Sequence, residues 1–169
     1  MAAVAILAAT LTAATPDAEH ARLIGMCGTW DVEMTFWLQP GRPGVTTKAT
    51  STIRPLFDGL FVEEKIEGTL NGKPFTTLAW TGYNTATKQY EATRIASTNT
   101  IRIAETGTYD EKANQFELKA DYPFGGDTWH QRTVIERKSA DSMVAASYLS
   151  FGNVPEWKGV EIKYTRSAK

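Results

Sequence analysis

The residues of this chain that could do chemistry are charged and titratable side chains falling on the apolar parity of short alternating runs. Glu64 shares its parity with Leu60, Val62 and Ile66, while Glu63, Lys65 and Glu67 take the other. Arg94 lies between Ala92 and Ala96, Glu105 between Ile103 and Gly107, and His130 and Arg132 share a parity with Val134. Where the apolar parity faces inward, these side chains go inward with it. The arginines would then offer forked hydrogen bonds to a ligand carboxylate or polarised carbonyl, and Glu64, Glu105 or His130 could carry a proton. The competing reading is an interior salt-bridge cluster that satisfies itself. Burying several charges without partners is costly, so the group as a whole asks for a purpose.

Trp30, Met34 and Phe36 share one face of the same pattern. Flat, polarizable side chains there can line a pocket for an apolar or aromatic molecule, or simply fill a core. Trp80, Trp129 and Trp157 sit in runs whose parity the sequence leaves open. His20 and His130 are the only histidines, and neither has neighbours at metal-ligand spacing, so no metal site is expected. His20 reads as a helix-surface residue or a plug at one end of the fold. Cys27 has no base beside it and reads as a structural thiol; as a single cysteine it permits no intrachain disulfide. The chain contains no nucleophile elbow, phosphate-cradling glycine loop or HExxH pattern, and no cofactor is called for.

The elements that must position these residues follow from period and punctuation. Asp17 or Thr15 caps a short helix running to Met26, stopped by Gly25 and Gly28. Strands are expected over 29–39, 45–56, 60–70, 75–83, 89–97, 101–109, 115–122, 128–138, 143–151 and 157–166. Asn71-Gly72 marks a tight hairpin, because both turn positions tolerate positive φ. Pro123 to Asp127 reads as an open loop. About ten antiparallel strands in sequence curl until the sheet closes, which removes its edges. The expected fold is therefore all-β: a single closed antiparallel meander barrel of about ten strands with a short N-terminal helix, spanning residues 16–169.

Residues 1–15 are small and apolar without a basic start. They read as the remnant of an export signal or as a plain N-terminal extension; the first implies a periplasmic or exported protein, the second a cytoplasmic one. Eighteen basic against nineteen acidic side chains in 169 residues give a net charge of −1, which disfavours nucleic acid as a partner. Beyond residues 1–15, no apolar run approaches the length of a membrane-spanning helix. A monomer and a homodimer are both compatible with the sequence.

The stretches EHARLIGMCGTWDVEMTFW, PLFDGLFVEEKIEGTLNGKPF, TGYN and VEIKYTR together resemble the DUF1579 family of uncharacterised bacterial proteins. The resemblance covers most of the chain after Asp17. It implies a calycin-like barrel, related in shape to lipocalins, fatty-acid-binding proteins and the haem-binding nitrobindins, and brings no known activity. Members of the family tend to carry Trp and Asp where this chain has Arg94 and Ala96. Nitrobindins hold haem through a histidine near the C-terminus, and here none follows His130.

The leading functional expectation is binding of a small amphipathic or aromatic molecule inside the barrel, its body against Trp30, Met34 and Phe36 and its head toward Arg94 and Arg132. The alternative is a cofactor-free isomerase, cyclase or lyase that moves a proton with Glu64, Glu105 or His130.

Overall fold

The structure, a computed structural model, describes residues 14–168; most of the N-terminal segment considered above lies outside them. The helix α1 spans Ala18–Ile24 and is followed by ten strands: β1 Gly28–Phe36, β2 Val45–Leu56, β3 Phe61–Leu70, β4 Lys73–Asn84, β5 Gln89–Ala96, β6 Ile103–Asp110, β7 Gln115–Phe124, β8 Asp127–Ser139, β9 Ser142–Phe151 and β10 Val154–Arg166. Each strand pairs antiparallel with the next, and β1 pairs with β10, so the sheet closes into a barrel. The closing seam runs from Trp30 opposite Arg166 to Phe36 opposite Val160.

Alternation sets the two faces. Along β1, Trp30, Val32 and Met34 are buried between exposed Asp31 and Glu33. Outward positions carry Lys48, Thr50, Lys65, Glu67, Lys119 and Lys163, the reverse of the apolar outer band of a membrane barrel. Among the described residues no helix is long and apolar enough to cross a membrane. Asn71 and Gly72 take φ values of 51° and 76° and join β3 to β4 in a two-residue turn.

Between β7 and β8 the expected open loop is instead a tight hairpin. Phe124 pairs with Asp127 across Gly125 and Gly126, whose φ values of 64° and 93° suit glycine. Adjacent glycines supply the positive φ that such a turn needs, so Pro123 and Phe124 stay in the ladder.

One end of the barrel is plugged. Asp17 caps α1, its side chain accepting from the backbone N–H groups of Glu19 and His20. The helix turns Leu23 and His20 inward, and His20 stands edge-on to Tyr83 with ring centroids 5.8 Å apart. The Tyr90 hydroxyl donates to Glu19 at 2.6 Å, tying α1 to β5. At the same end the Arg166 guanidinium lies 4.1 Å over Trp30 and donates to the Cys27 carbonyl at 3.1 Å. The plug leaves the opposite end free to open.

Candidate functional site

A cavity of about 380 Å³ occupies the unplugged half of the barrel. Its walls are apolar: Met34 and Phe36 from β1, Ile66 from β3, Phe75 from β4, Leu149 from β9 and Ile162 from β10. Leu38, Thr98 and Asn99 also border it and are themselves exposed, so they mark the mouth, beside the segment that links β5 to β6. The short pairing of these two strands, which ends at Arg94 opposite Ile103, leaves that segment free to frame the opening.

The polar part of the wall is Arg94, Gln131 and Thr133, with Thr77, Ser147 and Tyr122. Behind it lies a buried network. Glu105 accepts hydrogen bonds from Thr133 at 2.5 Å and from Gln131 at 3.0 Å. Tyr122 donates to the Gln131 side-chain carbonyl at 3.3 Å. On the other side of Arg94, Glu64 accepts from Ser51 at 2.8 Å and from Tyr164 at 2.9 Å. An Arg94 terminal nitrogen is 3.8 Å from Glu105 Oε2. Burial alone would pull the Arg94 pKa down, yet Glu105 and then Glu64 overcome it and hold the guanidinium more firmly protonated than in water. The Tyr164 pKa is pushed well up, first by burial and then by Glu64.

Small residues make room for this network. Ala79 stands between Glu64 and Arg94 in the ladder, Ala92 is opposite Glu105, and Ala120 is opposite Gln131; all three alanines are buried. A long polar side chain beside an alanine on the next strand fills the space that two large apolar neighbours would contest.

Several expectations are met in placement and others are corrected. Met34, Phe36 and Arg94 border the cavity. Trp30 points inward but lies in the plugged half, edge-on to Tyr164 at 6.2 Å, and does not reach the cavity. Glu64 and Glu105 are interior, behind Arg94 and not on the cavity wall.

His130 and Arg132 are outside the barrel: the inward parity of β8 belongs to Gln131 and Thr133. Arg132 is held outside by two hydrogen bonds to Glu156, at 2.7 and 3.1 Å, and lies 4.2 Å over the Tyr148 ring. The Glu156 hydrogen bond raises the Arg132 pKa and lowers that of Glu156. His130 meets Asp121 at 2.7 Å on the same surface. The physical reason is desolvation: an amide and a hydroxyl are far cheaper to bury than a guanidinium and an imidazole one position away. Val134, which suggested the opposite parity, is a half-buried outer residue.

Trp80 faces outward and donates to Glu63 at 2.9 Å. Trp129 and Trp157 cluster at the rim of the open end, with Trp129 stacked on Phe151 at 4.5 Å. Sequence reasoning missed Gln131 and Thr133. Their signal is the amide and hydroxyl pair alternating with His130 and Arg132, against which Val134 on the other parity weighs.

Among titratable side chains of the described residues, only Arg94 and Tyr122 border the cavity. The Tyr122 pKa is raised, first by burial. No cluster of His, Cys, Asp and Glu suited to a metal ion occurs among the described residues.

A sequence model for a protein family of unknown function, DUF1579, matches residues 15–166. No curated protein matches the chain. Among solved structures, Rv2717c from M. tuberculosis is similar over 91% of this chain and 100% of its own, with TM-score 0.65 and 12% identity. The S-type phycobiliprotein lyase CPES from Guillardia theta is similar over 91% of this chain and 99% of its own, with TM-score 0.59 and 11% identity. At such identities the likeness is one of fold.

Proposed function

We propose, for a chain that belongs to the DUF1579 family of proteins of unknown function, that the barrel binds a small amphipathic or aromatic molecule in its open half. The observation that carries this reading is the cavity of about 380 Å³, apolar on most of its wall and polar at one place. That volume falls in the range of pockets for small organic molecules, and a few convergent polar groups in an apolar wall are how such pockets orient a ligand. The apolar body lies against Phe36, Ile66, Phe75 and Leu149, and the polar head meets Arg94, Gln131 and Thr133. Arg132, outside the barrel, has no part in it.

The isomerase, cyclase or lyase alternative receives no support from the geometry. Glu64 and Glu105 stand behind the wall with hydrogen bonds already made, and His130 is on the outer surface.

Native mass spectrometry of the purified protein tests the reading. The expected result is a non-covalent small-molecule adduct that Ala145→Phe, which fills the cavity from β9, abolishes while the barrel stays folded. An adduct that survives the filled cavity overturns the assignment. So does failure of the protein, stripped and re-exposed, to take up any compound of a broad small-molecule set.

A further inference from the structure

Resting on that reading, we infer that the cavity selects an uncharged ligand presenting a hydrogen-bond acceptor, such as a ketone or amide carbonyl, and discriminates against carboxylates. Arg94 is the one charged side chain on the cavity wall among the described residues. A lone guanidinium there would be an anion site. Here its charge is already committed: Glu105 stands 3.8 Å away, and Glu64 follows across Ala79. One cation between two interior carboxylates leaves the group with one formal negative charge. A ligand carboxylate would bring a second into a site where charges are poorly screened. A ligand ammonium fares no better, because the group it meets at the wall is the guanidinium itself, and the remaining polar lining is neutral.

An uncharged carbonyl loses little on leaving water and gains a donor. Part of the Arg94 side chain stays open at the cavity wall, 22% of it by exposure, while its Nε and Glu105 Oε2 are enclosed behind without a hydrogen-bond partner. Gln131 and Thr133 sit beside Arg94 on the wall, each tied to Glu105 and thereby held in place.

Isothermal titration with a matched series provides the test: 2-acetylnaphthalene, 2-naphthoate and 2-naphthylmethylammonium, repeated on a straight chain as 2-decanone, decanoate and decylammonium. The ketones should bind at least about tenfold more tightly than the ions that share their bodies. In Glu105→Gln the carboxylates should gain about tenfold relative to the ketones, because one negative charge is removed while the shape is kept. Glu64→Gln serves as the second variant should the first not fold.

Carboxylates binding as tightly as ketones to the unaltered protein would overturn the charge inference and leave the cavity reading standing. An unchanged preference in a folded Gln variant would do the same. If no member of either series binds, the cavity reading falls, and the selectivity with it.

Discussion

Arg94 and Glu105 face each other at 3.8 Å inside the barrel, and each keeps one buried polar atom, Nε and Oε2, without a hydrogen-bond partner. They are cross-strand neighbours by diagonal: Ala92 opposes Glu105 and Arg94 opposes Ile103 in the β5–β6 ladder. The pair is long for a contact ion pair and tightly enclosed, a combination that holds charge in place at the cavity wall without spending all of its hydrogen-bonding capacity.

Removing one member should expose what the pair does for stability. Glu105→Leu leaves the Arg94 guanidinium largely buried with a weaker counter-charge and frees Gln131 and Thr133 of their acceptor. A loss of about 3 kcal/mol is expected by urea denaturation. Arg94→Met combined with Glu105→Leu should recover most of it. A double variant no better than the single one would show that the cost lies in the acceptor lost to Gln131 and Thr133, or in Glu64 left without its cation, and not in the stranded guanidinium.

The outer position of His130 and Arg132 makes a sharp contrast with Arg94. His130→Ala and Arg132→Ala should each change affinity for a cavity ligand by less than about twofold, since neither borders the cavity and exposed pairs contribute little. Arg94→Met should weaken binding of a carbonyl ligand by about tenfold. Titration calorimetry on the three variants decides the matter; a large effect of Arg132→Ala would return the site to the other parity of β8.

Alkaline pH should unfold the barrel through its tyrosines. Tyr164 and Tyr90 are both held protonated far past their ordinary value of 10.0, each first by burial, then by Glu64 and Glu19 respectively. Above that pH the unfolded chain releases phenolic protons that the native chain keeps, so stability is full below pH 10 and falls as pH rises beyond it. Urea midpoints should hold level up to about pH 9 and decline as pH is raised beyond about 10. A flat profile would contradict the burial of these hydroxyls.

At Gly107 on β6 the backbone of β7 leaves no room for a side chain. A Cβ there would lie 1.8 Å from the Glu117 carbonyl oxygen and 2.8 Å from the Leu118 Cα, both backbone atoms. Gly107→Ala must therefore push two strands apart. A loss of about 3 kcal/mol or more is expected, with faster amide hydrogen exchange along β6 and β7. A variant as stable as the parent would mean that these strands are not packed as described.

Much of this protein is legible in its sequence. Period-two alternation is a property of neighbouring residues, so the ten strands, their meander order and the Asn71-Gly72 turn could be read locally. Closure followed from the number of strands, and Glu64, Arg94 and Glu105 were rightly placed inside because small or apolar residues flank each of them on the same parity. β8 resisted. Its two parities carry His130, Arg132 and Val134 against Trp129, Gln131 and Thr133, and neither set is apolar enough to decide.

Only the tertiary structure chose between them. The choice depends on residues distant in sequence: Glu156 waits outside for Arg132, 24 positions away, while Glu105 waits inside for Gln131, 26 positions away. The same holds for the cavity. The plug built by Leu23, His20 and Trp30 at one end, and the charge that Glu64 and Glu105 place around Arg94, arise when strands far apart in the chain meet across the barrel. Alternation along a strand sets which atoms share a face, but what a buried charge meets there is set by the fold as a whole.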